Sequence, residues 1–126
     1  MSADDPAGDV AFVLGGGGPL GAHEVGMLRA LAEHDVRPDM ILGTSVGAIN
    51  GALFAADPTP AGVERLAGLW REANLNGRTS GAVLRRATTL ARSGTHLQSL
   101  TELRDRLVAV LPVTRVEQLV ARFQCV

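Results

Sequence analysis

The sequence predicts an α/β fold with a parallel sheet, on three observations. Two short apolar runs, residues 10–14 and 40–42, have the length of buried strands. Each run leads into a glycine-containing turn, and each turn leads into a segment of helical character, residues 22–35 and 48–56. A strand–helix–strand connection of this kind is right-handed and places both strands parallel in one sheet.

The elements can be followed in order along the chain. Every residue of the first run is apolar, which predicts a strand buried on both faces. The later part of the sequence is expected to be mostly helical. Its predicted segments are a helix over 61–73, a loop over 74–81, a weaker helix over 82–92, a helix capped by Ser99, a short helix over 115–122 and a strand from Phe123.

Length and composition exclude several classes of protein. A chain of 126 residues has the length of a single domain. Its 12 basic and 13 acidic residues leave a net charge of −1, which argues against a nucleic-acid binder. Every basic residue is Arg, so no lysine nucleophile or P-loop lysine is available. The single cysteine, Cys125, excludes an intrachain disulfide framework and a multi-cysteine zinc site.

No targeting segment is evident at the start of the sequence. The first 28 residues contain no Arg or Lys, and no apolar run approaches the ~20 residues of a membrane span. We therefore expect a soluble cytoplasmic protein, with peripheral membrane contact left open. Residues 1–9 are expected to form a disordered leader, and residues 10–126 the N-terminal part of one domain. A buried strand rarely ends a domain, so the domain is expected to continue beyond Val126.

The second turn has the pattern G-x-S-x-G, with Ser45 between Gly43 and Gly47. This nucleophile-elbow pattern places a serine on a tight turn between strand and helix, and glycines on either side avoid steric clashes. The amides at the start of the following helix then point toward a developing oxyanion. The alternative is an ordinary glycine turn in which Ser45 caps the helix.

The first turn contains G-x-G-x-x-G as Gly16, Gly18 and Gly21. A dinucleotide site of this pattern needs an acidic residue at the end of the second strand, and residues 42–45 contain none. The alternative is that the loop amides form an oxyanion hole. Because both turns leave the carboxyl ends of neighbouring parallel strands, they are expected to converge on one crevice.

Together the two turns resemble the beginning of a patatin-like phospholipase, a family of serine lipid acyl hydrolases. The resemblance implies a three-layer α/β/α fold with a mainly parallel sheet, which we expect to be truncated here, and a Ser–Asp dyad without a cofactor or metal. Carried over by position, Ser45 is the nucleophile, and Gly16, Gly17 and Gly18 supply the oxyanion hole. Leu20 stands where the family usually has a basic residue.

The catalytic base is missing from the sequence. The family's Asp lies in a downstream Asp-Gly motif, and this chain contains no Asp-Gly dipeptide. Asp39 is expected at the opposite end of the sheet and Asp57 beyond the helix that Ser45 begins. The catalytic Asp is therefore expected beyond Val126. His23 is either a substitute base or an exposed residue at a helix start.

The sequence is compatible with two functions from different classes. The first is a hydrolase of lipid acyl esters, with a lipid or acyl ester as its substrate. The second is a catalytically incomplete module that binds acyl lipids or acts as a scaffold. Trp70, with Leu66 and Leu69, is either core packing or the lining of an acyl-chain groove. The sequence assigns no role to Asn50.

Overall fold

In the described part of the chain, three short parallel strands form a sheet. The computed structural model describes residues 9–75 and 97–126. Strands β1 (Ala11–Leu14), β2 (Met40–Gly43) and β3 (Arg122–Cys125) are arranged in the order β1-β2-β3, and both pairs are parallel. The predicted α/β class with a parallel sheet is confirmed, as is the last strand.

Four α-helices and two 3₁₀ turns complete the described structure. The helices are α1 (Gly21–Glu33), α2 (Val46–Ala56), α3 (Pro60–Leu75) and α4 (Leu97–Val110), and the 3₁₀ turns are Gly18–Leu20 and Val116–Gln118. None of the helices within the described ranges is long and apolar enough to cross a bilayer.

The helix predictions differ from the structure mainly at their ends. The predicted loop over 74–81 starts too early, because α3 continues to Leu75. Ser99 is not a cap, because the backbone is already helical at Leu97. The predicted helix over 115–122 is a single 3₁₀ turn that gives way to β3. The helix predicted over 82–92 lies outside the described residues.

Helix α2 packs directly on one face of the sheet. The strand register aligns Phe12, Ile41 and Phe123 across the three strands, on the face that α2 covers. The ring of Phe54 stacks on Phe12 with centroids 6.3 Å apart. Gly51 lies so close to the sheet that a Cβ there would be 3.0 Å from Ile41 Cγ2. This close approach explains why the helix after β2 is rich in small residues.

The other face of β1 is exposed in the described structure. Side chains alternate across a strand, so Phe12 and Leu14 point to the core while Ala11 and Val13 point away. Val13 is 73% exposed. The prediction that this strand is buried on both faces is therefore wrong for the described part of the chain, because the helices that bury β1 lie on the Phe12 side.

Helices α1 and α3 pack against each other and complete the core. Val25 and Leu28 of α1 and Val63 and Leu66 of α3 are buried in it. At the surface an ion pair, 2.6 Å between Nη2 and Oε1, joins the two helices through Arg29 and Glu64. Both partners are substantially exposed, so apolar burial dominates the packing of this pair of helices.

Candidate active site

Ser45 lies on a strained turn between β2 and α2. Its backbone has φ 55° and ψ −124°, and Asp35 is the one other non-glycine residue with positive φ in the described structure. Conformations of this kind cost about 1–3 kcal/mol and persist where the surrounding structure imposes them. The Ser45 side chain is exposed. The turn therefore presents a hydroxyl to solvent at the start of a helix.

Ser45 occupies the N-cap position of α2, but its hydroxyl makes no cap hydrogen bond. The amides that a capping serine would accept from are bonded to backbone carbonyls instead. Gly47 N donates to Thr44 O at 2.9 Å, and Ala48 N donates to Ser45 O at 2.9 Å. The alternative that Ser45 is simply a helix cap is therefore wrong.

The two glycines of the elbow are required by close backbone packing. A Cβ at Gly43 would lie 2.5 Å from the carbonyl oxygen of Gly47 and 2.6 Å from Ala48 Cα. A Cβ at Gly47 would overlap the carbonyl oxygens of Leu14 and Gly15. Backbone atoms cannot move aside as a flexible side chain can, so neither position accepts a larger residue without distortion.

The glycine loop after β1 lies beside Ser45. A Cβ at Gly16 would be 3.3 Å from Ser45 Cβ, so the two predicted turns are brought together. Among the described residues, the amides of Gly16, Gly17 and Gly18 have no hydrogen-bond acceptor, and neither has the amide of Val46. N–H donors without an acceptor thus lie on both of the segments that meet at Ser45.

The far end of this loop rests on the start of α2. A Cβ at Gly21 would lie 2.6 Å from Val46 Cγ2 and 3.0 Å from the ring of Trp70. Leu20, the residue before it, is 64% exposed and brings no charge to the loop.

None of the described carboxylates forms a hydrogen bond with the Ser45 hydroxyl. Asp39 Oδ2 accepts from Val10 N at 2.7 Å, at the amino end of β1. Asp57 ends α2, where it accepts from Thr59 Oγ1 at 2.7 Å and pairs with Arg65. In residues 9–75 and 97–126, the Ser45 hydroxyl has no partner of any kind.

His23 is exposed in the first turn of α1. It makes no hydrogen bond with Ser45 in the described structure. This placement fits the interpretation of His23 as an exposed residue at a helix start.

A buried polar cluster behind the site was not foreseen from the sequence. Asn50 is 0% exposed, and its Nδ2 donates to Gly21 O at 2.9 Å and to Glu24 Oε2 at 2.8 Å. Its Oδ1 accepts from Trp70 Nε1 at 2.9 Å. The sequence did contain one signal, because Asn50 is the single polar side chain in the otherwise apolar helix α2. A buried side-chain amide needs hydrogen-bond partners, so partners on neighbouring elements were to be expected.

An apolar groove of about 300 Å³ lies at the opposite end of α2 from Ser45. Leu66 and Leu69 line it together with Leu53, but Trp70 does not. Leu53 is eight residues beyond Ser45, and a helix rises about 1.5 Å per residue, so the groove begins about 12 Å from the serine. Trp70 does not line this groove, and its indole N–H donates to Asn50 instead.

The comparisons with known proteins agree with the predicted family. A family model described as patatin-like phospholipase matches residues 12–126. Patatin-like phospholipase domain-containing protein 7 of Rattus norvegicus is 49% identical over 63 residues, which is 50% of this chain and 5% of that protein. Lysophospholipase NTE1 of Eremothecium gossypii is 43% identical over 70 residues, 49% of this chain and 5% of that protein.

A third relative is neuropathy target esterase sws of Drosophila sechellia, 43% identical over 61 residues, 48% of this chain and 4% of that protein. Each of these alignments thus spans only a small part of a much longer relative. The family model, by contrast, extends from β1 to the end of β3. The resemblance predicted from the two glycine turns is confirmed: the chain belongs to the patatin-like phospholipase family.

Proposed function

We propose that this chain supplies the nucleophile and the oxyanion-binding loop of a serine hydrolase that cleaves lipid acyl esters. The observation that carries the proposal is the state of Ser45. It is exposed, it is held at φ 55°, and its hydroxyl is not used to cap the helix that it begins. Backbone strain without a structural use for the side chain is typical of a catalytic position.

In the proposed reaction, Ser45 Oγ attacks the carbonyl carbon of the ester while a base takes its proton. The negative charge that develops on the carbonyl oxygen is stabilised by amides of Gly16, Gly17 and Gly18, and by the amide of Val46. The intermediate collapses to an acyl-enzyme, and the base returns the proton to the departing alcohol. Water then hydrolyses the acyl-enzyme. One such donor contributes about 10²–10³-fold in rate.

The base of the proposed mechanism is the Asp of the family's Ser–Asp dyad. A serine hydroxyl is a weak nucleophile without an adjacent base. We place this carboxylate outside the described residues, because Asp39 and Asp57 are committed to other contacts.

The family and the surface near the site support the proposed substrate class. The relatives named lysophospholipase and neuropathy target esterase support a lipid acyl ester as substrate. Leu20 adds exposed apolar surface to the glycine loop, which suits an acyl chain better than a free anionic group. Peripheral contact with a membrane surface belongs to the same proposal.

The proposal is tested by labelling the full-length protein with a fluorophosphonate, which reacts covalently with activated serines. We expect labelling at Ser45, complete loss of labelling in Ser45→Ala, and loss of hydrolysis of a lysophospholipid in the same variant. Thr44→Ala is the matched control, because it removes the neighbouring exposed hydroxyl and should keep both activities. Absence of labelling in the wild-type protein would reject the proposal.

A second candidate is an acyl-lipid-binding or scaffold module without catalysis. The observation in its favour is the Ser45 hydroxyl, which has no partner in the described residues. It predicts that wild-type protein and Ser45→Ala bind a lysophospholipid equally well and that neither hydrolyses it. Turnover by the wild-type protein would exclude it.

A further inference from the structure

The hydrogen bonds of Asn50 fix the orientation of its side-chain amide. The indole N–H of Trp70 can only donate, so the oxygen of Asn50 must face α3. The two hydrogens of Nδ2 then face α1, where they meet the carbonyl of Gly21 and the carboxylate of Glu24. Both amide hydrogens are used. Asn50 is also the one polar side chain classed as buried among the described residues.

One of these partners, Gly21, is the last residue of the glycine loop and the first of α1. The loop is held against α2 at both ends. At its beginning, Gly47 allows the carbonyl oxygen of Gly15 to lie against the first turn of α2, and at its end Gly21 rests on Val46. At this second contact, the hydrogen bond from Asn50 fixes the orientation of the Gly21 carbonyl, which van der Waals packing alone does not do.

We propose that Asn50 is a positioning residue, which sets the glycine loop at its working distance from Ser45. Ser45 and Asn50 lie on one helix, so a bond from Asn50 to Gly21 ties the loop amides to the same rigid body that carries the serine. This role rests on the proposed function of Ser45. Oxyanion donors act over about 2.7–3.1 Å. A displacement of about 1 Å can therefore cost on the order of 10²-fold in rate.

The test compares three variants of the full-length protein. Asn50→Leu removes every hydrogen bond of the cluster at similar volume. Phe54→Leu is the matched control, because it weakens the core on the same helix without touching Gly21. Trp70→Phe is the milder variant, because it removes the orienting N–H and leaves the donor to Gly21 in place. The measurements are kcat, KM, the melting temperature, and hydrogen exchange over residues 15–21, where the hydrogen-bonded amides of Leu20 and Gly21 carry the signal.

For Asn50→Leu we expect kcat to fall on the order of 10²-fold. We expect KM to stay within roughly twofold, since ground-state binding is not the property that changes. Exchange over residues 15–21 should rise in this variant and, to a smaller extent, in Trp70→Phe. In Phe54→Leu the melting temperature should fall while kcat and exchange in this segment stay at wild-type values.

Equal losses of kcat in Asn50→Leu and Phe54→Leu would overturn the positioning role, as would unchanged exchange over residues 15–21 in Asn50→Leu. If Asn50→Leu fails to fold, unchanged exchange over residues 15–21 in Trp70→Phe would overturn the positioning role. A wild-type protein that is not labelled at Ser45 would reject the proposed function instead. The exchange comparison still decides the role of Asn50 in that case, because it needs no activity.

Discussion

Ser45 has a strained backbone conformation, and it is also the residue that we propose as the nucleophile. Positive φ disfavours a residue with a Cβ, and a serine at a helix start normally recovers energy by capping. Ser45 makes no such bond. Its conformation is imposed by Gly43 and Gly47, which allow β2, α2 and the end of β1 to approach at backbone distance.

This strain gives a prediction for stability. Ser45→Gly should raise the free energy of unfolding by about 1 kcal/mol, because strain of about 1–3 kcal/mol is relieved against the higher chain entropy of glycine. Ser45→Ala keeps the Cβ and should give no such gain. Chemical denaturation of both variants checks the difference. A glycine variant less stable than the alanine variant would contradict the presence of strain at this position.

Among the elements, α3 is the one that brings Trp70 to Asn50, and its start is well defined. Thr59 precedes the helix, and its Oγ1 accepts from Gly62 N at 3.2 Å, which is the bond of an N-cap. The same hydroxyl donates to Asp57 at the end of α2. Thr59 therefore joins the end of one helix to the start of the next.

Thr59→Ala should lower the free energy of unfolding by about 1 kcal/mol, because the amide of Gly62 loses its acceptor. Thr59→Ser retains the hydroxyl and should stay close to wild type. Urea denaturation of the two variants provides the measurement. If both variants lose the same stability, the methyl group and not the cap bond is responsible.

At the scale of the molecule, the core of the described residues lies between one face of the sheet and helices α1 to α3. Phe54 is at its centre and is 0% exposed, whereas Val13 on the other face of the sheet is 73% exposed. The extent of burial, more than the hydrophobicity of the residue, decides how much each apolar side chain contributes to the free energy of unfolding.

Phe54→Ala should therefore cost about 3–5 kcal/mol, from lost burial and the cavity left behind. Val13→Ala should stay within about 0.5 kcal/mol of wild type. Thermal or chemical denaturation of the full-length protein compares them. A loss at Val13 similar to that at Phe54 would show that the second face of the sheet is covered in solution.

Local sequence patterns were enough to predict the strands, the order of the elements and both glycine turns. These features depend on neighbouring residues, since periodicity and turn chemistry act over a few positions. Two of the errors lie at Ser99 and in residues 115–122, where a capping pattern and weak periodicity indicated helix starts that the chain does not use. The site residues Ser45 and Gly16 to Gly18 remain predictions that the proposed labelling tests.

The sequence by itself determined that a serine and a glycine loop follow neighbouring parallel strands, because motif and periodicity are both local. Only the tertiary structure decided that Ser45 does not cap its helix and that Val13 is exposed. It also decided the hydrogen bonds of Asn50, whose partners Gly21 and Trp70 lie 29 and 20 residues away. Hydrogen bonds over such separations depend on how helices pack, and no local pattern specifies that packing.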